Sequence, residues 1–164
     1  MKPLLASTAA ALCLAASTIA SADTTLILGE AGPNRGARAA ALQSFADDVT
    51  ARTNGEVNID IQWGGALFKA NAAAQAIADG VADLGTVIAV YFPQEMLSYS
   101  FADLPMRNED AWVGMRATDE LMRTSDAITK SLADQNLVYI GTFTTSAVNI
   151  ACKDVAIRTV EDIA

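Results

Sequence analysis

The sequence contains no histidine and only two cysteines, and both absences exclude particular chemistries. Histidine is the usual general base near neutral pH and the commonest metal ligand, so no imidazole is present to activate a hydroxyl or thiol nucleophile. Two cysteines, Cys13 and Cys152, are too few for a structural zinc site. We therefore expect no catalytic residues, no metal and no cofactor, and we predict that the protein is not an enzyme.

Positive charge is also scarce. Lys and Arg number 11 against 19 Asp and Glu, which gives a formal net charge of −8. Nucleic acid phosphates are bound by clustered Lys and Arg, so a nucleic acid partner is excluded. Apolar residues nevertheless make up 52% of the chain, which is too many for a disordered protein.

Residues 1–22 have the three-part layout of a secretory signal peptide. Met1 and Lys2 form a short positive start, an uncharged apolar run follows, and residues 20–22 (ASA) form a cleavage site of small residues. The apolar run is shorter than the ~20 residues that a membrane span needs, which disfavours an uncleaved anchor. We expect an exported mature protein that is not membrane-embedded, with Cys152 as its single cysteine.

Apolar runs alternate with helical patterns along the rest of the sequence. Strands are predicted at residues 24–28, 56–63, 84–90, 137–143 and 148–152. Helices are predicted at residues 35–53 and 71–80, after Asn108, after Ser125 and from about Thr159. This order predicts an α/β fold, in which helices flank a sheet that is mainly parallel.

Two strands and two helix starts carry more specific expectations. The continuous apolar run at 24–28 predicts a strand buried on both faces, whereas strict alternation at 56–63 predicts a half-exposed strand at a sheet edge. Asn34 and Asn108 are the predicted N-caps of the first and third helices. Ala41, Leu42, Phe45, Ala46 and Val49 form the predicted buried face of the first helix.

A glycine-rich loop, GEAGPNRG at residues 29–36, follows the first predicted strand. It lacks the spacing of the dinucleotide-binding loop and the lysine of the phosphate-binding loop. Glu30 would also repel a phosphate. A tight turn before a helix is therefore favoured, and an exported nucleotide-binding or enzyme domain that uses this loop is the weaker alternative.

Candidate ligand-binding residues follow several of the predicted strands. In an open α/β sheet, ligands bind outside the carboxyl ends of the strands. Core packing is an equal alternative for each aromatic side chain in this group. The candidates at this edge are Glu30, Asn34, Trp63, Tyr91, Phe92 and Phe143.

Four segments, in order, resemble a known family: FADDVTARTNGEVNIDI, AIADGVADLG, FADLPM and CKDVAIRTVEDIA. Together they are similar to the DctP-like solute-binding proteins of tripartite ATP-independent periplasmic (TRAP) transporters. The resemblance implies a two-lobed fold of the class II periplasmic binding protein type. Residues 23–147 would then form the N-terminal lobe, and residues 148–164 the hinge strand and the start of an incomplete second lobe.

The resemblance also implies a function. Such a protein binds a small organic anion, a carboxylate, in the periplasm and delivers it to the membrane permease subunits. In relatives, an arginine just beyond the segment matching residues 161–163 clamps the carboxylate, and Arg pairs with carboxylates bidentately. This sequence stops at Ala164, so we expect the N-terminal half of a longer receptor. A binding protein of an ATP-driven transporter and an inactive truncated product are the alternatives.

Family positions imply further ligand contacts. Relatives use a polar residue in the loop after the first strand, where Glu30 and Asn34 lie, and another contact in the region of residues 88–92. Sialic-acid-binding relatives carry a second arginine near the position of Ala147. Its absence argues against that ligand and leaves Ser146 and Asn149 as polar candidates.

Overall fold

The computed structural model describes residues 23–97, 99–100, 110–143, 153 and 157–163. The predicted signal peptide (residues 1–22) and the predicted hinge strand (148–152) lie outside the described residues.

Strands and helices alternate in the first half of the chain, and two further α-helices follow. The strands are β1 (Thr24–Gly29), β2 (Val57–Gln62) and β3 (Leu84–Gly85). The α-helices are α1 (Gly36–Arg52), α2 (Ala73–Ala78), α3 (Ala111–Thr124) and α4 (Asp126–Ala133). Short 3₁₀ helices occur at Ala70–Ala72, Ala89–Tyr91 and Val160–Ile163.

The three strands form one parallel sheet in the order β2-β1-β3. Leu26 of β1 pairs with Ile59 of β2, and Leu28 pairs with Leu84 of β3. Parallel neighbours need a crossover connection, and the helices between the strands belong to these connections. The predicted α/β class, the parallel sheet and the edge position of β2 are therefore confirmed.

Ala39 and Ala46 are the buried residues of helix α1. Leu42, Phe45 and Val49 are partly buried, as predicted, whereas Ala41 is exposed.

The predicted N-cap of α1 is wrong. The cap position is Arg35, and no side chain caps this end of the helix. The Arg35 N–H donates to the Pro33 carbonyl at 2.8 Å, and this turn leaves Asn34 exposed in the loop.

The hydrophobic core contains Phe68 and buried residues from α2, α3 and α4, including Ala74, Met122 and Leu132. The Phe68 ring lies against two glycines at the sheet. A Cβ on Gly29 would be 2.2 Å from Phe68 Cζ, and a Cβ on Gly85 would be 3.1 Å from the same atom. Glycine at both positions is what allows the ring to approach the sheet so closely.

Three strand predictions need correction. The strand predicted at 84–90 ends at Gly85, and Ala89–Tyr91 forms a 3₁₀ helix instead. Residues 137–143 form no strand with any segment that the structure describes, and Val138 is 87% exposed. β1 is not buried on both faces, since Ile27 is 39% exposed and no described element covers it.

The last two α-helices begin at side-chain caps. The Asp110 carboxylate accepts hydrogen bonds from the N–H groups of Trp112 (2.9 Å) and Val113 (3.3 Å), so α3 begins later than predicted. The predicted cap Asn108 lies outside the described residues. Ser125 caps α4 through the Ile128 N–H, as expected. Across the described ranges, every helix is too short or too polar to cross a membrane.

Candidate functional site

The loops that follow the three strands are joined by main-chain hydrogen bonds at the carboxyl edge of the sheet. The N–H groups of Gly64 and Gly65 donate to the carbonyls of Gly32 (2.8 Å) and Glu30 (3.0 Å). After β3, the Thr86 N–H donates to the Gly29 carbonyl at 3.3 Å. The loops after β1 and β2 are thus bonded to each other, and the loop after β3 is bonded to the last residue of β1. α/β proteins bind ligands at this edge of the sheet, and we call the surface formed by the three loops the carboxyl-edge site.

Glu30 is the buried acidic residue of the carboxyl-edge site, and its side chain is only 1% exposed. Its Oε1 accepts a hydrogen bond from the Gly32 N–H at 2.5 Å and lies 2.8 Å from Arg38 Nη2. Its Oε2 is buried and has no hydrogen-bond partner among the residues that the structure describes. In Glu30, Oε1 is therefore held by two donors, whereas Oε2 has no donor among the described residues.

Arg38 lies in the first turn of α1 and reaches back across Gly32 to Glu30. A Cβ on Gly32 would be 1.5 Å from Arg38 Nη2, so the guanidinium occupies the space that any other side chain would fill. The Arg38 side chain is 32% exposed, and its charge compensates the buried carboxylate. Burying an unpaired carboxylate is costly, so this pairing is what lets Glu30 lie at the end of β1.

Sequence reasoning missed Arg38. The available signal was Glu30 itself, because a charge directly after a buried strand needs a partner. The partner is eight residues away across an irregular loop, and neither the helical nor the strand period marks that distance.

The other predicted site residues lie in different surroundings. Trp63 directly follows β2 and is partly buried, in the loop that is hydrogen-bonded to Gly32 and Glu30. Asn34 is exposed in the loop after β1, and Tyr91 is 52% exposed. Phe92 is buried in the hydrophobic core, and Phe143 is 39% exposed. Ser146 and Asn149 lie outside the described residues.

A second polar cluster joins α3 to residues 137–143. Arg123 Nε lies 3.1 Å from both carboxylate oxygens of Asp119, the Tyr139 hydroxyl donates to Asp119 at 2.7 Å, and Arg123 Nη2 donates to the Ile140 carbonyl. Arg123 also lies over the Tyr139 ring, 5.2 Å from its centroid.

The charges of this cluster are stable near neutral pH. The hydrogen bond from Arg123 lowers the pKa of Asp119, and the hydrogen bond from Tyr139 lowers it further. Burial, followed by the hydrogen bond to Asp119, raises the pKa of Tyr139. Neither group exchanges a proton near neutral pH, so the cluster fastens the segment to the helix and is unsuited to acid–base chemistry.

Within the described ranges, no three His, Cys, Asp or Glu side chains are grouped so that they could hold a metal ion.

The fold is of the type found in periplasmic solute-binding proteins. The sequence matches the bacterial extracellular solute-binding proteins of family 7 over residues 29–164, and the chain belongs to this family. This match confirms the predicted DctP-like family. Proteins of this family are transport receptors rather than enzymes. A search of curated proteins found no match.

Solved structures share the fold. A TRAP periplasmic solute-binding protein from Desulfovibrio salexigens is 22% identical, with a TM-score of 0.62 over 68% of this chain and 34% of its own. A marine metagenome protein specific for aromatic acid ligands is 23% identical, with a TM-score of 0.61 over 68% of this chain and 35% of its own.

A Bordetella pertussis extracytoplasmic solute receptor that binds pyroglutamic acid gives a TM-score of 0.57 at 23% identity, over 68% of this chain and 36% of its own. The aligned part of this chain thus covers about a third of the length of each of these proteins. The expected periplasmic-binding-protein fold is confirmed.

Proposed function

We propose that this chain is the N-terminal lobe of a receptor that binds a small organic anion, a carboxylate, in the periplasm and delivers it to a TRAP-type membrane permease. The family match over residues 29–164 is the observation that carries the proposal. Similar structures are described with bound pyroglutamate and with β-D-galacturonate, and both ligands are carboxylates. The ligand would lie between the carboxyl-edge site and a second lobe.

The electrostatics of the carboxyl-edge site suit an anion despite the net charge of −8. An unpaired Glu30 about 4 Å from a ligand carboxylate would cost about 4 kcal/mol at an effective dielectric constant of 20. The ion pair with Arg38 removes most of this repulsion. The start of α1 has neither a side-chain cap nor an acidic residue in its first turn, so its free N–H groups favour negative charge.

The proposed ligand-binding residues fall into two groups. The first group lies in the described part of the chain and contains Glu30, Asn34, Trp63 and Tyr91, with Phe92 supporting the wall from the core. The second group, Ser146 and Asn149, belongs to the proposed passage into the second lobe at residues 148–164. Cleavage after Ala22 is proposed to release the mature receptor.

Ligand-induced stabilisation of the complete protein encoded by the gene tests the receptor function. A ligand at 100 times its Kd stabilises the folded state by about 2.7 kcal/mol, which raises the midpoint of thermal unfolding measurably. A panel of hydroxy, oxo, cyclic amide, uronic and aromatic acids is compared with the corresponding neutral amides. We expect a shift with at least one acid and none with its amide. Failure of every acid would contradict the proposal.

Delivery to a permease is tested separately from binding. Reconstituted TRAP-type permease subunits encoded beside the gene should transport the ligand only when the receptor is present. A binding protein of an ATP-driven transporter would instead require a partner ATPase. Support of uptake by such a system would overturn the TRAP assignment and leave the binding proposal intact.

A further inference from the structure

The turn between α1 and β2 contains an asparagine followed by a glycine, Asn54 and Gly55. Asn54 is exposed just after the end of α1 and has the left-handed backbone conformation, with φ of 51°, and Gly55 follows with φ of 87°. The Asn54 side chain has no hydrogen-bond partner among the residues that the structure describes. Because Gly55 has no side chain, its main-chain nitrogen is the least hindered nucleophile that can follow an asparagine.

We propose that Asn54 is a site of spontaneous deamidation and that the hydrogen bonds of this turn control its rate. Asparagine is a thermolabile residue. The Gly55 nitrogen loses its proton to a solvent base and attacks Cγ of Asn54. The side-chain nitrogen leaves as ammonia, taking up a proton from solvent, and a five-membered succinimide ring forms.

Water then completes the modification by opening the ring at either of its two carbonyl groups. The product at position 54 is an aspartate or an isoaspartate, and the net reaction consumes one water and releases one ammonia. Either product adds a negative charge at the carboxyl end of α1, where the helix dipole disfavours it. The reaction is independent of the proposed receptor function.

Hydrogen bonds withhold the attacking nitrogen in the folded turn. The Gly55 N–H donates to the Thr50 carbonyl at 2.9 Å. Thr53 fastens the same turn, since its hydroxyl donates to the Val49 carbonyl at 2.8 Å and accepts from the Val57 N–H at 3.1 Å. Helix ends open locally at a lower free energy than the core does. The reaction therefore proceeds from local openings whose frequency these bonds determine.

Asn136 provides a comparison within the same molecule. It also has the left-handed conformation, with φ of 57°, just after the end of α4. Its side-chain nitrogen donates to the Ala78 carbonyl at 2.8 Å, and the next residue is the buried Leu137, whose side chain hinders attack. The two asparagines share a backbone conformation, but the unbonded amide and the following glycine are found at Asn54.

Peptide mapping of the complete protein by mass spectrometry tests the site. Folded protein and protein unfolded in urea are incubated in the same mildly alkaline buffer, and the aspartyl and isoaspartyl peptides are separated by chromatography. We expect conversion at Asn54 in the folded protein and none at Asn136. Unfolding should accelerate the conversion at Asn54 about ten- to a hundredfold, because the turn no longer has to open first.

The Thr53→Val variant tests the control by the turn. It replaces the hydroxyl with a methyl group and should speed the conversion of folded protein about fivefold, the factor that corresponds to the loss of one hydrogen bond. Thr53→Ser keeps the hydroxyl and should stay close to the wild-type rate. Asp110→Ala, which removes the cap of α3 and leaves this turn untouched, should also keep it.

Four results would overturn the proposal. They are equal conversion at Asn54 and Asn136 in the folded protein, equal rates at Asn54 in folded and unfolded protein, absence of conversion in the folded protein after the unfolded protein has reacted completely, and an unchanged rate in Thr53→Val. The first three comparisons use the wild-type protein alone, so they decide the matter if Thr53→Val does not fold.

Discussion

At the carboxyl-edge site, one glycine determines a contact between two other residues: Gly32 allows Arg38 to reach Glu30. The guanidinium can reach Glu30 only because position 32 lacks a Cβ. The sequence identified Glu30 as a candidate because it follows an apolar strand, and it identified the loop because of its glycines. The contact between Glu30 and Arg38 depends on the irregular path of the loop, which no periodicity describes.

Replacing Gly32 with alanine should destabilise the protein through this ion pair. The new methyl group displaces Arg38 and leaves the buried Glu30 carboxylate without its charged partner, with only the main-chain N–H of residue 32 as a donor. Loss of one partner of a buried pair costs 3–5 kcal/mol in general, and partial exposure of Arg38 reduces our expectation to about 2 kcal/mol. Urea unfolding followed by circular dichroism measures the change.

Gly141→Ala is the matched control, because a Cβ at Gly141 meets nothing within 4 Å. It should change the free energy of unfolding by less than about 0.5 kcal/mol. Equal effects of the two substitutions would show that the displacement of Arg38 is not the cause.

At the scale of elements, the bounds of helices and strands were predicted best where the sequence has a clear period and, for a strand, where a neighbouring strand pairs with it. The alternation in β2 and the helical pattern of α1 gave nearly the observed bounds. Residues 137–143 are equally apolar, yet they form no strand, since a strand is defined by its neighbour rather than by its own composition. Helix starts were less predictable, because Asp110 rather than Asn108 provides the cap of α3.

Removal of the α3 cap is the first prediction at this scale. Asp110→Ala leaves the N–H groups of Trp112 and Val113 without their acceptor and should cost about 1 kcal/mol of stability. Asp134→Ala, which removes an exposed ion pair with Lys130, should cost a few tenths at most. Chemical denaturation of both variants checks this ranking, and the reverse order would refute it.

The second prediction concerns the cluster that fastens residues 137–143 to α3. Because the folded-state pKa of Asp119 is lowered, its stabilising contribution is present above the ordinary carboxyl pKa of 3.8 and is lost as the pH falls through the lower folded value. The stability difference between wild type and Asp119→Asn should therefore be constant from about pH 5 to pH 7 and shrink at lower pH.

Denaturant titrations between pH 2 and pH 7, roughly the range over which carboxyl groups titrate in proteins, measure this difference. Tyr139→Phe removes one of the two hydrogen bonds that lower the pKa of Asp119, so it should reduce the acid dependence only in part. A difference that stays constant down to pH 2 would show that Asp119 is not coupled to folding.

On the scale of the whole molecule, the polarity of the parallel sheet could be predicted from the order of strands and helices. It places the ends of all three strands at one edge, and the backbone hydrogen bonds among the loops confirm that they meet there. The proposed second wall of the cleft could not be predicted, because the aligned part of the chain covers about a third of the length of a structural relative.

The two tryptophans offer a test of whether the ligand binds at the carboxyl edge of the sheet. Trp63 lies at the carboxyl-edge site, whereas Trp112 is 64% exposed on α3. A ligand of the complete protein should change the intrinsic fluorescence, and Trp63→Phe should remove most of that change. Trp112→Phe should leave it intact, and the opposite pattern would move the ligand away from the carboxyl edge.

The main-chain bonds between the loops also bear on how such a receptor can diversify. The carbonyls of Gly29, Glu30 and Gly32 accept hydrogen bonds from main-chain N–H groups, which every amino acid except proline possesses. Replacement of the Asn34 or Trp63 side chain therefore leaves these bonds available. One scaffold can therefore acquire a new solute preference by a few side-chain substitutions, while the hydrogen bonds that join its loops stay the same.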